Sequence, residues 1–264
     1  MTDDNVTISV DGAEATITLN RPDLRNALTE EVSTELIDAV DEAEEEDVRC
    51  VVVRGSEGAF CAGGDVNSML EGLDGAVPVA EKVRVVDEQT HEAVARVARC
   101  SVPTVASIQG AAMGAGAALA PACDVQVASE EAEIGFVFRR VGLGVDSGTS
   151  YLLPRTVGIN TAKKLVYTGE VLGAERAKEL GVITDVFPAD EFQERADELV
   201  ERIASGPTVA LKNAKRLIDR GFENSLEGAM AEEALAQGIA FETYDHHEGA
   251  EAFLEGRDPV FEGR

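Results

Sequence analysis

The stretch IQGAAMGAGAALAPACD, residues Ile108 to Asp124, decides the fold of this 264-residue chain. The apolar run from Val102 to Ile108 leads into a cluster of small residues, and an uncharged alanine-rich segment follows from Ala117 to Ala122. That order predicts a buried strand, a tight glycine turn and a helix covered on all sides. The first N–H groups of such a helix lack an intrahelical partner and carry partial positive charge, which suits an anionic oxygen.

The same small residues would also fit a turn between tightly packed elements that has no chemical role. A second loop of this kind favours the functional interpretation. The β-branched run Cys50–Val53 is typical of a strand buried on both faces, and it leads into RGSEGAFCAGGDV, residues 54–66. Glycines at 63 and 64 allow a backbone N–H to face a cavity, whereas Asp65 is explained by capping a short helix predicted to begin near Val66.

The chain carries an unusually large negative charge for its length. Lys and Arg together number 23 against 50 Asp and Glu, a formal net charge of -27 at pH 7. Such self-repulsion disfavours a compact state unless salt screens it, and at about 1 M salt the screening length is only about 3 Å. We therefore expect a salt-rich, halophilic cytoplasm, with an acidic mesophilic protein as the alternative. Nucleic acid and anionic membranes are poor partners, because the negative charge of the chain repels them.

The cysteines and the N-terminal residues indicate the cellular compartment in which the protein is expected. No CxxC pair and no neighbouring histidine accompanies a cysteine, so we expect no metal or redox site but buried thiols in a reducing compartment. These cysteines are Cys50, Cys61, Cys100 and Cys123. The sequence MTDDNVTISV lacks the features of a signal peptide, and no apolar run approaches the roughly 20 residues that span a bilayer. A cytoplasmic protein is expected.

Side-chain periodicity predicts the elements of the first half. Alternating residues at 6–10 and 15–19 predict a hairpin about Asp11-Gly12, and a helix is predicted from an N-cap at Thr29. Glycine and proline make residues 69–82 an irregular segment, after which a helix is predicted from Lys82 to Ala98. Its inward residues are predicted to be Val83, Val86, Val94 and Val97.

The second half becomes helical towards its end. We predict strands at 124–128 and 182–187 and helices at 161–167 and 174–180, the latter closed by Gly181. Beyond Ala189 the pattern of apolar residues predicts amphipathic helices, which are interrupted at 205–207 and near residues 221 and 238. The chain is therefore predicted to divide into an α/β core, residues 1–190, and a C-terminal helical region, residues 191–264.

Five motifs occur in this chain: LNRPDLRNAL (19–28), GAFCAGGDV (58–66), IQGAAMGAGAALAPACD (108–124), VGLGVDSGTSYLLPRTVG (141–158) and GEVLGAERAKELGVITDVF (169–187). Together they resemble the enoyl-CoA hydratase/isomerase family, also called the crotonase family. The resemblance implies an α/β superhelix of β-β-α turns with a C-terminal helical trimerisation region, hence a homotrimer or a dimer of trimers. It also implies an acyl-CoA thioester as the substrate, with coenzyme A as part of it and no separate cofactor.

The resemblance also implies roles for residues. The N–H groups of Gly64 and Ala115 would form an oxyanion hole for the thioester oxygen, and Arg25 could in addition meet a phosphate. Two fixed donors stabilise the enolate that forms when a proton leaves the carbon beside a thioester. Further residues are implied to line the coenzyme and the substrate: Leu24, Arg25, Ala27, Ala62, Asp65, Val66, Gly114 and Phe138.

The sequence departs from the hydratases of this family at their two glutamates. Ala118 and Phe138 stand at those positions, and neither side chain moves a proton. Asp146 remains in the loop GLGVDSG, which is similar to the GLVPDSG-type loop of the phenylacetyl-CoA and enoyl-CoA isomerases, where an aspartate is the base. We therefore expect Asp146 to carry the proton in a shift from 3-enoyl-CoA to 2-enoyl-CoA. Its simpler alternative role is to cap the next helix with its side chain.

Three other functions stay open at this point. A halobenzoyl-CoA-type dehalogenase would use the aspartate as a nucleophile within an aromatic cage, for which Phe136, Phe138 and Tyr151 are available. A hydratase would need a carboxylate from elsewhere, such as Glu71, Glu88 or Glu92. A non-catalytic acyl-CoA binding protein would bind the thioester without turnover. His91 is interpreted as a solvated or hydrogen-bonded helix residue rather than a catalytic one.

Overall fold

Two sheets carry the fold in the computed structural model, which describes residues 4–65, 70 and 77–264. The larger sheet has the strand order β1-β2-β3-β5-β7-β10 and the smaller one β4-β6-β8-β9. In chain order the strands are β1 Val6–Asp11, β2 Glu14–Leu19, β3 Cys50–Gly55, β4 Ala59–Cys61, β5 Thr104–Ile108, β6 Ala111–Met113, β7 Val125–Ser129, β8 Glu133–Gly135, β9 Val171–Gly173 and β10 Asp185–Phe187.

Each successive turn of the superhelix contributes two strands, one to the larger sheet and one to the smaller sheet. The pairs β3 and β4, β5 and β6, and β7 and β8 follow one another along the sequence, and the first member of each pair joins the larger sheet. Neighbouring turns are parallel, with Val51 opposite Thr104 and Val105 opposite Val125. Only the predicted first hairpin, β1 with β2, and the pair β8 with β9 are antiparallel among the described strands. This order confirms the predicted superhelical α/β fold.

Helices cover the sheets and form the C-terminal part of the chain. They are α1 Glu30–Glu45, α2 Val79–Val85, α3 Glu92–Ala98, α4 Ala115–Leu119, α5 Thr149–Val157, α6 Ile159–Thr168, α7 Ala174–Leu180, α8 Phe192–Ala204, α9 Thr208–Gly221, α10 Leu226–Phe241 and α11 Tyr244–Glu255. Single-turn 3-10 segments lie at Pro22–Leu24, Ala120–Ala122 and Phe138–Val141, and a π-helical segment, Val86–His91, joins α2 to α3.

The two faces of the larger sheet are covered by different helices. Helix α1 begins at the predicted cap, since Thr29 Oγ1 accepts a hydrogen bond from the Val32 N–H at 3.3 Å. Its buried face, with Leu36 and Val40, joins the main core. On the opposite face, α8 packs Phe192 and its buried neighbours against alternate residues of β3, β5 and β7.

The predicted helix from Lys82 to Ala98 is partly wrong. It begins at Val79, after Pro78, and its first valines are exposed, Val83 by 62% and Val86 by 37%. Val94 and Val97 are buried as predicted. A π-helical segment contains an extra residue per turn, so the helix face rotates between the two halves. A regular 3.6-residue period therefore cannot hold for both. The start of the predicted irregular segment lies mainly outside the described residues.

The stretch from Ile108 to Asp124 also differs from the prediction in two respects. A short strand, β6, lies between the buried strand β5 and the helix, because Gly110 and Gly114 both adopt positive φ values and each turns the chain. The helix itself is buried at every residue as predicted, but α4 spans only five residues before a 3-10 turn. Towards the end of the chain, the predicted break near Gly238 is wrong, since this residue lies within α10.

The cysteines are buried and free, as the sequence predicted. Burial raises the pKa of the Cys61 thiol to about 12, so this thiol stays protonated near neutral pH. The described residues contain no group of three or more histidine, cysteine or acidic side chains able to hold a metal ion. Among the helices described, none has the length and apolar character that crossing a membrane requires.

The excess of acidic residues leads to a prediction about stability. We expect the midpoint of thermal unfolding to rise by roughly 5–10 °C between about 0.1 M and about 2 M KCl, because screening shortens the range of the self-repulsion. Circular dichroism at 222 nm measures this midpoint. Sucrose, which strengthens burial without screening charge, is the control and should give a smaller rise. An unchanged midpoint in KCl would contradict the expectation.

Candidate active site

The loop after β2 is held in place by a buried asparagine. Asn26 has an exposed fraction of 0% and, like Arg25, a left-handed backbone, with φ values of 58° and 51°. Its amide Nδ2 donates to the carbonyls of Ser56 and Ala59 at 2.9 and 2.8 Å, and its Oδ1 accepts from the Arg21 N–H at 2.9 Å. One side chain therefore fixes the loop to the chain that connects β3 and β4.

This loop runs directly beside the glycine loop after β4. The Ala62 N–H donates to the Arg25 carbonyl at 3.0 Å, and the Leu28 N–H donates to the Gly63 carbonyl at 2.8 Å. Leu28 and Gly64 also form an isolated parallel bridge. Two segments that the sequence assigned to coenzyme binding are thus adjacent. Within them Arg25 is exposed, Ala27 is buried, and Leu24, Ala62 and Asp65 are half-buried, whereas Val66 lies outside the described residues.

The glycine loop after β4 also touches the start of α4. A methyl group on Gly63, whose φ is 91°, would lie 2.6 Å from the Met113 carbonyl oxygen and 3.3 Å from the Ala115 nitrogen. A methyl group on Gly116 would lie 2.1 Å from the Cys61 carbonyl oxygen. Both glycines are therefore required for close approach of the two loops. The structure brings together the two glycine-rich motifs that the sequence singled out.

Two N–H groups at this contact have no acceptor among the described residues. Within the described part of the chain, neither the Gly64 nor the Ala115 N–H makes a hydrogen bond, while the neighbouring Gly114 N–H donates to the Gly135 carbonyl at 2.8 Å. Ala115 is the first residue of α4, where a free N–H is expected. Because α4 is so short, the directional N–H itself matters more here than a helix dipole. Both N–H groups are therefore free to donate a hydrogen bond to an oxygen with negative charge.

Apolar side chains occupy the two positions that the resemblance assigns to the acids of a hydratase. Ala118 is fully buried in α4, and its N–H donates to the Gly114 carbonyl at 3.1 Å. Phe138 has an exposed fraction of 6%, and its ring lies 4.0 Å from the point where a Cβ on Gly114 would be. Phe138 therefore forms a wall beside the N-terminus of α4. Neither position can provide a proton.

Asp146 lies in the loop that follows the Phe138–Val141 turn. The Leu143 N–H donates to the Phe138 carbonyl at 3.1 Å, which links this loop to the apolar wall, and α5 after the loop packs against α4. Asp146 is half-buried. Its carbonyl accepts from the Thr149 N–H at 2.9 Å, but its side chain does not cap α5, whose N-cap is Gly148. The simpler role considered for this carboxylate is therefore not the one in the structure.

The other candidate acids are engaged in surface ion pairs. Glu88 lies 2.5 Å from an Arg84 nitrogen and Glu92 lies 3.6 Å from an Arg99 nitrogen, and both side chains are about half exposed. Glu71 lies outside the described residues. His91 Nδ1 is 3.5 Å from Asp87 Oδ1, as expected for a helix histidine, but its buried Nε2 has no hydrogen-bond partner among the residues that the structure describes.

The sequence analysis missed Asn26 and Ser147 as residues that organise the site. It gave Asn26 no role of its own, although asparagine adopts a left-handed backbone more readily than most residues. Ser147 donates a hydrogen bond from Oγ to Asp146 Oδ1 at 2.9 Å and is fully buried. No periodicity or spacing in the sequence marks a contact between adjacent side chains.

Replacing Asn26 by alanine should lower the free energy of unfolding by about 3 kcal/mol, because three backbone groups, one of them in a buried and two in part-buried hydrogen bonds, lose their partner at once. Urea unfolding followed by circular dichroism measures this loss. Glu57→Ala is the matched control, since Glu57 also has a positive φ, 49°, but is exposed, and a change within about 0.5 kcal/mol is expected there. Equal effects at both positions would show that the side-chain bonds of Asn26 do not stabilise the loop.

Comparisons with known proteins identify the family and the fold. Residues 11–264 match the family model described as enoyl-CoA hydratase/isomerase. A "Probable enoyl-CoA hydratase" of Rhodobacter capsulatus is 36% identical over 95% of both chains. The "1,2-epoxyphenylacetyl-CoA isomerase" of Escherichia coli is 33% identical over 94% of this chain and 95% of its own. A solved structure from Mycobacterium abscessus, a "putative Enoyl-CoA hydratase/isomerase", has a TM-score of 0.92 at 33% identity and covers 98% of this chain and 100% of its own.

Proposed function

The chain belongs to the enoyl-CoA hydratase/isomerase family, and from that premise we propose that it converts a 3-enoyl-CoA thioester into the 2-enoyl-CoA. The observation that carries this proposal is the distribution of acids. Ala118 and Phe138 replace the two acids of a hydratase, whereas the side chain of Asp146 is half-buried and does not cap the helix that follows it. One carboxylate is sufficient to move a proton between two carbons, but adding water across an alkene needs more.

The proposed reaction uses Asp146 and the two free N–H groups. The Asp146 carboxylate takes a proton from C2 of the substrate, and the C–H electrons form a dienolate whose charge lies on the thioester oxygen. The N–H groups of Gly64 and Ala115 donate to that oxygen, and such a donor typically contributes about 3 kcal/mol. The protonated Asp146 then returns the proton to C4, which leaves the double bond between C2 and C3 and restores the carboxylate.

We assign coenzyme A to the substrate and propose no separate cofactor. Binding of the coenzyme is assigned to the adjacent loops described above, with Leu24, Ala27, Ala62, Asp65 and Val66 along the chain and Arg25 towards a phosphate. The exposure of Arg25 and the hydrogen bond from Ala62 to the Arg25 carbonyl support this assignment. Gly114 and Phe138 would contact the acyl part, because they lie together at the start of α4.

Hydration is the second candidate function, since relatives at similar identity are named both hydratases and isomerases. The surface ion pairs of Glu88 and Glu92 argue against it. Turnover of 3-hexenoyl-CoA and crotonyl-CoA in about 2 M KCl, where the repulsion between acids is screened, separates the two. Isomerisation predicts formation of 2-hexenoyl-CoA and no loss of the crotonyl-CoA absorbance at 263 nm. Loss of that absorbance with no 3-enoyl turnover would refute the proposal.

The same experiment can include the remaining alternatives. A halobenzoyl-CoA thioester tests the dehalogenase, for which Phe136 and Phe138 are buried and Tyr151 is exposed. An acyl-CoA binding protein would bind every thioester without turnover. Detectable conversion of 3-hexenoyl-CoA alone is the result that supports isomerisation.

A homotrimer, or a dimer of trimers, is proposed as the assembly. Large apolar side chains of α9 to α11 and their connections are exposed in the single chain, each by 55% or more: Ile218, Phe222, Leu226, Met230, Leu235, Ile239, Phe241, Phe253 and Leu254. Exposed apolar surface on this scale is typical of an interface. Light scattering after size-exclusion chromatography in KCl measures the assembly, and a monomer at micromolar concentration would contradict it.

A further inference from the structure

The loop of Asp146 contains a serine in a conformation that disfavours serine. Ser147 and Gly148 both have left-handed backbones, with φ values of 52° and 72°. Glycine adopts this conformation freely, whereas a residue with a Cβ is strained in it. Ser147 is also fully buried, so its hydroxyl has lost its water. A glycine at 147 would avoid both costs, and the serine therefore needs an explanation in its side chain.

Among the residues that the structure describes, the hydroxyl of Ser147 bonds to one partner, the carboxylate of Asp146. Ser147 Oγ donates to Asp146 Oδ1 at 2.9 Å, while Asp146 Oδ2 has no hydrogen-bond partner in the described part of the chain. Side chains of adjacent residues point in opposite directions along an extended chain. The contact therefore depends on the left-handed turn at Ser147. The strained backbone and the hydrogen bond belong to one arrangement.

We infer that Ser147 is a positioning residue for Asp146. Its hydroxyl fixes Oδ1 and sets the plane of the carboxylate, so that Oδ2 exchanges the proton with the substrate. A single acid that serves two carbons must keep one orientation through both transfers, and reactions are sensitive to misplacement by about 1 Å. Strained backbone is typical of sites where such an orientation is imposed. This inference rests on the proposed function, because it concerns the same carboxylate.

Two substitutions at Ser147 separate the effect of the hydroxyl from the effect of the strained backbone. Ser147→Ala removes the hydroxyl and keeps the backbone cost, whereas Ser147→Gly removes both. The assay is turnover of 3-hexenoyl-CoA by the full-length protein in KCl, with thermal unfolding measured on the same samples. We expect both variants to lower kcat about 10-fold to 100-fold and to leave KM within about twofold. The glycine variant should unfold at the same temperature as the unsubstituted protein or at a higher one.

Thr149→Val is the matched control in the same loop. The Thr149 hydroxyl is also buried, with a residue exposure of 2%, but it has no hydrogen-bond partner within residues 4–65, 70 and 77–264. Its removal deletes a buried hydroxyl without a bond to Asp146, and kcat is expected to stay within about twofold. A fall as large as that of the Ser147 variants would show that the loop tolerates no change of packing, and would overturn the positioning role.

Deuterium incorporation provides a second measurement that packing alone would not change. In D2O a held carboxylic acid returns the hydrogen that it removed, whereas a carboxyl group free to rotate exchanges it with solvent. Mass spectrometry of the product should therefore show more deuterium per turnover for Ser147→Ala and Ser147→Gly than for the unsubstituted protein. Unchanged incorporation together with unchanged kcat would refute the inference. An unsubstituted protein that does not convert 3-hexenoyl-CoA would refute the proposed function, and an active Asp146→Asn would refute the role of Asp146. Both results differ from an inactive Asp146→Asn with fully active Ser147 variants, which refutes the inference about Ser147 alone.

Discussion

Asp146→Asn should lower kcat for isomerisation of 3-hexenoyl-CoA by about 10³-fold to 10⁴-fold and leave its KM nearly unchanged. The upper range for a single general base applies because Ala118 and Phe138 leave no second acid at the positions that hydratases use. Asparagine has nearly the same shape as aspartate and can still accept a hydrogen bond from Ser147 Oγ, but it cannot take a proton. The substitution therefore removes basicity with little change of packing.

The measurement is the initial rate of 2-enoyl-CoA formation, with the midpoint of thermal unfolding determined for both proteins. Glu88→Gln is the matched control, because it neutralises an acid that the structure places in a surface ion pair with Arg84. The control should keep kcat within about twofold, since exposed ion pairs contribute little. Activity of Asp146→Asn near that of the unsubstituted protein would refute the role of Asp146, and loss of activity in the control would place the base elsewhere.

The sequence predicted those parts of the fold that depend on side-chain periodicity and on glycine. The first hairpin, the cap at Thr29 and the buried strands all follow from local patterns, and the structure has them. The two glycine loops were identified as a pair because each follows a buried strand, and Gly63 now lies against the Ala115 nitrogen. Patterns of this kind are local, so a single sequence contains them.

What the sequence did not predict depends on contacts between distant or irregular segments. The π-helical segment at 86–91 changes which face of the helix is buried. No residue type or spacing within the segment indicates that its turn contains one residue more than an α-helical turn. Asn26 acts on carbonyls about thirty residues away, at Ser56 and Ala59. The bond from Ser147 to Asp146 requires a left-handed backbone, which the tertiary structure imposes at a residue that does not favour it.

Ala115→Pro should lower kcat/KM for 3-hexenoyl-CoA by about 10²-fold to 10³-fold, the effect expected from loss of one oxyanion donor. Ala115 is the first residue of α4, where proline is well tolerated because the N–H there has no intrahelical partner. The preceding residue also fits. Gly114 has φ 56° and ψ -118°, the mirror image of the extended conformation that proline favours before it, and glycine adopts both hands equally.

Ala115→Gly is the matched control, because it keeps the N–H and changes only the methyl group. We expect it to retain kcat/KM within about threefold, with a free energy of unfolding lower by less than about 1 kcal/mol. The proline ring occupies the position of the removed hydrogen, so weaker substrate binding alone could imitate loss of the donor. The two differ in kcat, because a donor that acts on the dienolate lowers kcat at saturating substrate, whereas obstruction raises KM. A proline variant with full kcat and a raised KM would show that the Ala115 N–H does not stabilise the dienolate.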